Sequence, residues 1–599
     1  MAEASRNASN MKLLPGANSA KRIWTDYSLR KFILYAISPL HWMSLLTLKL
    51  RAKEEKRVFF GCVNQWQNAS APRADGLCFI FHPWLQANNN ASVVRRNEIV
   101  ADSESPDPEI RMRLDRLGWA LQMAIHDQND AWQAVGKWLE ERWKCGLACR
   151  GSYSISERIS NLILLWNIQE PEPSLSSDVL GMMERDAEYL LGHLEYYGEY
   201  ATNNHILNNA RALILAGSFQ KNQKFYDAGC WLLETQLSKH VSSDGVVREA
   251  STHYQWVITR WIMEVECVFH SLDQVRFQQL RPLLKSMLDV CGAMQLGKGK
   301  KAYLPLIGDI SPDFPPRLYG GMTELGHALV GDTEQETRAP LTTDGLWSRF
   351  FIGRNKPIPE RWQAADGSWV RLANNKWSLI AHADMHPDDS RATHGHHDLF
   401  SFELAFDGVP IIVDPGRKNY LAGRDHEEAG ILEEWHNTLL VNNKRTGFVP
   451  RGYMPASWLQ NIRTCPCVAV ADQCLEIRLD SPREVPGIFS IQRILNLSDE
   501  KIVKISNWVI RNNAHPADVK LVMYVMGIAS LEDDELKLGI GALEFMIRWR
   551  GLSAPVLRDA IRYVGYGISE PCTRLEWVAV AADREWESTI EIVTLEKEE

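Results

Sequence analysis

His394-Gly395-His396-His397-Asp398 is followed at once by an alternating run, Ser401 to Leu404, and then by Val409 to Pro415. Asp407-Gly408 between the two apolar runs is a hairpin signal. The second strand, Pro410 to Val413, ends at Asp414-Pro415-Gly416. Three of the chain's 17 histidines thus stand at a strand entrance, and an acid stands at the exit of its hairpin partner. Such a convergence marks a site, and the period of two marks the start of an all-β region.

Outward from this stretch, the period of two holds from about residue 345 to the end. Trp369–Leu372, Trp377–Ala383, Phe400–Phe406, Val409–Val413, Thr438–Val441, Cys474–Leu479, Phe489–Leu497, Lys501–Ile510, Val519–Tyr524, Ala542–Trp549, Ala560–Tyr563 and Leu575–Ala581 read as strands. Strand after strand without crossover helices predicts an antiparallel sandwich. Residues 107 to 340 read differently. Arg111–Ile125, Asp130–Trp143, Ser154–Trp166, Ser177–Tyr197, Asn204–Phe219, Asn222–Leu237, Ser251–Ser271 and Val275–Met294 place apolar residues at helical spacing. Asp130, Ser154 and Ser177 are the expected N-caps. No strict repeat is visible, which argues against a TPR or HEAT solenoid; paired helices closing into an α/α toroid are the alternative. The expected order is a lead-in over 1–105, a helical domain over 106–342 and a β-sandwich over 343–599.

A chain of 599 residues exceeds one compact core. Its net charge of −9 carries no nucleic-acid signature, so an anionic ligand needs a local basic site. The 22 tryptophans suit sugar stacking and core packing alike. The 11 cysteines form no C-x-x-C pair and no disulfide framework, which suits a reducing compartment. The first thirty residues lack the apolar core of a secretory signal. Phe32–Leu48 reads as a buried or surface amphipathic helix, with an interfacial membrane contact as the alternative. A cytoplasmic location, or one peripheral to the inner membrane, is therefore expected, with a periplasmic one as the alternative.

Three motifs carry chemistry. In Asn203-Asn204-His205-Ile206-Leu207-Asn208-Asn209-Ala210-Arg211, polar side chains crowd a helix mouth. Asn203 as a cap explains only one of them, since Asn is a poor helix-interior residue. Amide and imidazole donors near the positive end of a helix dipole suit an anion; a polar, capped helix end is the plain alternative. Arg248-Glu249-Ala250-Ser251-Thr252-His253-Tyr254 enters a helix near Ser251 and can point Tyr254 into the same cleft. In the opening motif, His396, Asp414 and His436 are ligand types for zinc, leaving His394 for chemistry; a hydrogen-bonded polar cluster is the alternative. Arg158 is expected as a contact for an anionic sugar.

Together the motifs resemble the heparinase II/III-like superfamily of polysaccharide lyases. Asn204-His205-x-x-Asn208 is similar to that family's toroid helix, Glu249-x-Ser251-x-x-Tyr254 to its tyrosine segment, and His394-Gly-His396-x-Asp398 with Val413-Asp414-Pro-Gly416 to its sandwich signature. His397 departs from the pattern, which has a small residue there. The resemblance covers roughly residues 110 to 530. It implies a toroid followed by antiparallel sheets, and β-elimination on a uronic-acid polysaccharide. Asn204 and His205 then neutralise the uronate carboxylate, and Tyr254 and His394 act as base and acid in either order. Arg158, Asn208, Arg211, His253 and Tyr420 are the implied substrate contacts, and a structural zinc on His396, Asp414 and His436 the implied metal, with no organic cofactor. A tyrosine base needs positive charge nearby, which His253, Arg211 or Arg248 would supply. The alternative function is a non-catalytic glycan-binding or assembly factor in bacterial exopolysaccharide or capsule biosynthesis. A hydrolase needs paired carboxylates across the cleft, and the motifs are rich in His, Asn and Tyr instead.

Overall fold

A computed structural model describes residues 39–68, 107–126, 130–198, 202–297, 302–313, 359–383, 394–420, 430–446, 466–482, 485–512 and 515–595. Helices come first, as the sequence predicts: α1 (Pro39–Gln67), α2 (Pro108–Arg116), α3 (Gly118–His126), α4 (Asp130–Trp138), α5 (Ser152–Ile168), α6 (Pro173–Gly192), α7 (His205–Phe219), α8 (Gln223–His240), α9 (Thr252–Leu272) and α10 (Gln274–Ala293). A π-turn, Leu139–Trp143, continues α4. The expected helix Arg111–Ile125 is two helices, because Leu117 takes a left-handed φ of 59° ahead of Gly118. Two expected caps move as well. α5 starts at Ser152 behind Gly151, and α6 starts at Pro173, whose ring occupies the first helical turn, so neither Ser154 nor Ser177 is a cap.

The lead-in expected over 1–105 includes α1, which joins the helical core. Phe59 and Val63 are buried in it, and the Phe59 ring stacks on Tyr196 at 3.7 Å. Among the described residues no helix is long and apolar enough to cross a membrane. Of the segment 32–48 expected as an amphipathic helix, residues 32–38 lie outside the described residues, and 39–48 are described as helix in backbone only.

Strands follow: β1 (Arg361–Gln363), β2 (Trp369–Ala373), β3 (Trp377–His382), β4 (Phe402–Phe406), β5 (Val409–Ile412) and β6 (Leu439–Val441). After them come β7 (Cys467–Ala471), β8 (Cys474–Asp480), β9 (Ile488–Asn496), β10 (Ile502–Arg511), β11 (Ala517–Val525) and β12 (Ile528–Glu532). The last are β13 (Glu535–Ile540), β14 (Leu543–Arg550), β15 (Val556–Gly565), β16 (Ile568–Ala581) and β17 (Glu585–Thr594). They form two antiparallel sheets. One runs β1-β2-β3-β4-β5-β11-β16-β15, with β6 also on β11; the other runs β12-β13-β14-β17-β10-β9-β8-β7. The fold is thus a helical α/α domain followed by an antiparallel β-sandwich.

Alternation explains how the first sheet serves two cores. Val370, Leu372, Leu379, Phe402 and Leu404 face the second sheet. Their neighbours Trp369, Ile380 and Ala405 face the other way and pack on Val290, Met294 and Ile307 of the helical side. Both faces of β2, β3 and β4 are therefore buried. The second sheet is half-solvated, and β8 alternates buried Leu475, Ile477 and Leu479 with more exposed residues.

Residues 302–313 run through the junction. Thr252 N–H donates to Ile307 O at 3.0 Å, and Asp309 N–H donates to His394 O at 2.8 Å. Gly308 has φ +82°, and a Cβ there would meet Ala250 O at 2.6 Å, His394 O at 2.9 Å and Ser251 Cα at 2.9 Å. All three are backbone atoms, so none yields cheaply. Gly308→Ala is expected to cost roughly 3 kcal/mol or more, or to prevent folding. Thermal denaturation checks this; an unchanged melting temperature contradicts it.

A buried acid gives the helical domain a pH signature. Burial lifts the Glu266 carboxyl to about 8, against the pull of Arg281, whose Nη1 lies 3.1 Å away. The folded state keeps this proton where an unfolded chain has lost it near 4.5. The group's contribution is full below about 4.5 and falls as pH rises toward 8. Glu266→Gln is expected to raise the melting temperature at pH 8 and to leave it nearly unchanged at pH 5. An equal change at both values contradicts the assignment.

Candidate active site

The site forms where the helix mouths meet the first sheet. Ser251 caps α9: its Oγ accepts from Tyr254 N–H at 3.2 Å and donates to Asp309 O at 2.8 Å. This fixes Tyr254 in the first turn, beside the 302–313 segment. The Tyr254 ring stacks on the His394 imidazole with centroids 3.6 Å apart and planes 9° apart. Its hydroxyl lies 3.1 Å from the Tyr420 hydroxyl. Tyr420 donates its one hydrogen to Ile310 O at 2.9 Å, so Tyr254 is the donor of the pair. Tyr254, His394 and Tyr420, expected together from the sequence, are together.

Asp309, which the sequence reading missed, is the hub. His394 Nδ1 lies 3.2 Å from its Oδ2, His396 Nε2 lies 2.9 Å from its Oδ1, and Arg417 Nη1 lies 3.3 Å from both oxygens. Burial alone would raise its pKa; the bonds from His394 and His396, with the charges of His396 and Arg417, hold it well below the carboxylate range. An anionic Asp309 orients the His394 ring through Nδ1 and leaves Nε2 for another partner. Arg417, also missed, places its guanidinium 5.2 Å from the Tyr420 ring centroid. A cation directly after the Asp414-Pro415-Gly416 turn was the available signal.

The helix mouth of α7 supplies the other wall. Asn204, rather than the expected Asn203, stands at the N-cap of α7 and makes no capping bond; Asn203, one residue ahead, accepts from His205 N–H through its Oδ1 at 3.2 Å. Asn204 is 1% exposed, and neither its Oδ1 nor its Nδ2 has a hydrogen-bond partner among the described residues. Leaving buried polar atoms unpaired costs about 1–3 kcal/mol each, so this amide is a hydrogen-bonding group with both its donor and its acceptor capacity unused at the helix mouth. His205 is part-exposed; its Nδ1 lies 3.1 Å from Glu195 Oε1 and its ring 4.5 Å from that of Tyr153. Tyr153 in turn donates to Asp313 Oδ2 at 3.0 Å, and Arg116 grips both Asp313 oxygens at 2.8 Å. Burial pushes the Tyr153 phenol well above 10, Asp313, Glu157 and Tyr254 add to this, and Arg116 opposes it.

Several expected substrate contacts sit elsewhere. Arg211 is buried, with Nη1 2.9 Å from Glu157 Oε1 and from Asn208 Oδ1, and Nε 2.5 Å from Glu264 Oε2. It clamps α5, α7 and α9, and Asn208 is its partner. Asn209 is structural too, accepting from Glu195 N–H and donating to Ser156 Oγ, both at 3.0 Å. Arg158 is buried away from this cleft, donating to Asp186 Oδ2 at 2.8 Å and to Asp115 O at 2.9 Å. His253 is buried, its Nδ1 accepting from Ser311 N–H at 2.9 Å. Arg248 is exposed. The positive field expected around Tyr254 is therefore not there. Burial raises its phenol well above 10; the hydrogen bond to Tyr420 opposes this, while Asp309, Asp313 and Glu249 add to it.

Below His394 lies the expected metal triad. One ligand atom from each of His396, Asp414 and His436 falls within 4.8 Å of the others, and all three residues are buried. His436 Nδ1 lies 2.8 Å from Asp414 Oδ2, and His396 Nε2 is on Asp309. The remaining ring nitrogens, His396 Nδ1 and His436 Nε2, are buried without a hydrogen-bond partner among the described residues. Two imidazoles, each steadied by a carboxylate and each offering a bare nitrogen, are the donor pattern of a metal centre. Asp398 adds charge nearby: burial would raise its pKa, but His382, His436 and His396 lower it. Asn437 fixes the neighbouring backbone, donating to Phe402 O and Val413 O and accepting from Tyr524 N–H.

Residues 356–461 match the family described as Heparinase II/III-like, C-terminal. The match spans the first part of the β-region, which is thus similar to that family's C-terminal domain. Three solved structures share its architecture. A heparinase III is 13% identical, with 91% of each chain covered and a TM-score of 0.62. A second heparinase III is 13% identical over 94% of this chain and 92% of its own, with a TM-score of 0.55. A heparan sulfate lyase from Pedobacter heparinus is 15% identical over 89% and 86%, with a TM-score of 0.50. At such identities the likeness is one of fold. No curated protein sequence matches the chain.

Proposed function

We propose that the protein is a polysaccharide lyase that cleaves a uronic-acid glycan by β-elimination. The observation that carries this reading is the Tyr254–His394 pair, stacked at 3.6 Å and held by Asp309 across the helix–sheet junction. The relatives of this fold named as heparinases and a heparan sulfate lyase support it.

The C5 proton of a uronate is hard to remove, because the adjacent carboxylate is already negative. The unsatisfied Asn204 amide, with His205 at the same helix mouth, hydrogen-bonds that carboxylate and stabilises the charge that develops on proton loss. His394, oriented by Asp309, takes the C5 proton on Nε2. Tyr254 keeps its proton in the buried site and delivers it to the O4 leaving group. Tyr420 holds the Tyr254 hydroxyl in line, and Arg417 offers a cation to an anionic sugar.

The bare nitrogens of His396 and His436 fit a zinc ion, with Asp414 as an oxygen donor. When bound, the metal ties the strand exit at Asp414 to the loop that carries His394. About one equivalent of zinc is expected by elemental analysis of the purified protein, falling well below that in His436→Ala. Full occupancy in that variant contradicts the assignment.

The test of function is a panel of uronic-acid polysaccharides. A rise in ultraviolet absorbance from a new C4–C5 double bond is expected with at least one polymer. Retention of a polymer without any unsaturated product supports a binding or assembly role instead.

A further inference from the structure

A second cavity, of about 540 Å³, opens on the flank of the helical domain between the π-turn, α5 and α6. Its volume lies within the usual range for ligand sites. Arg158, expected in the cleft from the sequence, lines this cavity instead. Lys144 there is already paired with Glu140 and Asp178, and Arg158 with Asp186. Arg150 and Arg185 also line it, are exposed, and make no ion pair among the described residues. Two uncompensated guanidiniums at one cavity are a local positive site on a chain of net charge −9.

The remaining wall is aromatic. Arg185 lies over the Trp143 ring at 4.5 Å from its centroid, and the Tyr189 ring stacks on His193 at 3.8 Å. Arginines that pair with a carboxylate or sulfate, beside flat rings that stack on a pyranose, recognise a charged sugar. The cavity is also tied to the cleft. Arg158 and Tyr153 stand on the same helix, five residues and about 7.5 Å apart along its axis. The chain leaving α6 past His193 brings Glu195 to His205.

The geometry points to a secondary binding site for an anionic sugar unit of a polysaccharide, held by Arg150 and Arg185 against Trp143 and Tyr189. For the identity of the polymer it rests on the lyase reading; the site itself does not. It serves as a second grip that raises the avidity of the cleft for long chains.

The test is Arg150→Ala/Arg185→Ala in the full chain, measured with the polymer that gives the unsaturated product and with a short oligosaccharide cut from it. The KM for the polymer is expected to rise roughly tenfold with kcat unchanged, while the oligosaccharide is turned over as before. Affinity electrophoresis in the same polymer gives an independent readout, and retardation is expected to fall by a similar factor. Unchanged KM and unchanged retardation overturn the proposal. So does a variant that loses retardation by a duplex DNA but keeps it with the glycan. If the wild-type chain makes no unsaturated product, the lyase reading fails. Retardation in the uronate panel, lost in the double variant, then still decides for the second site, and retardation kept there decides against it.

Discussion

Tyr254→Phe is expected to lower turnover by roughly 10²–10⁴-fold while leaving the fold intact. The ring stays, and with it the stack on His394 at 3.6 Å. Only the hydroxyl is lost, together with its hydrogen bond to Tyr420, which keeps its own bond to Ile310 O. The cost in stability is therefore about 1 kcal/mol, the value of one such bond. Because the buried phenol is held protonated, the missing function is that of the acid. A substrate whose leaving group needs no protonation is expected to recover part of the rate. Full activity of the variant on the natural polymer contradicts the assignment of Tyr254, whatever the folding data say.

Asn204→Ala is expected to separate activity from stability more sharply. Turnover falls by about 10²–10³-fold, the usual loss on removing one preorganised donor from a developing oxyanion. Stability stays level or rises, because both polar atoms of this side chain are buried without a hydrogen-bond partner among the described residues. An ordinary structural asparagine behaves in the opposite way. Asn209, at the same helix mouth, donates to Ser156 and accepts from Glu195 N–H, so Asn209→Ala is destabilising. Chemical denaturation beside initial rates distinguishes the two. A destabilised, fully active Asn204→Ala protein overturns the role given to Asn204.

The division between helices and strands was legible because each domain obeys one period. The two-sided burial of β2, β3 and β4 did not obscure it, since Trp369, Ile380 and Ala405 alternate with residues that face the other core. Strands in Ile528–Glu532 and Glu535–Ile540 escaped notice. Their turn is Asp533-Asp534, with Asp533 rather than glycine at φ 52°. The motif residues Tyr254, His394, His396 and Asp414 were readable because each stands beside a cap, a turn or a strand end. Asp309 was not. It lies in a stretch with neither period, and its importance comes only from three partners 85 to 108 residues away. Arg158 and Arg211 illustrate the converse. Sequence presents them as charges open to a ligand, whereas Asp186, Glu157 and Glu264 already engage them inside the helical domain.

The most direct test of the central claim is the mass of the products from a defined uronate oligosaccharide. β-Elimination adds no water, so the product masses are predicted to sum to that of the substrate, with the unsaturation on the new non-reducing end. Products whose masses sum to the substrate plus one water would contradict the account and make the protein a hydrolase.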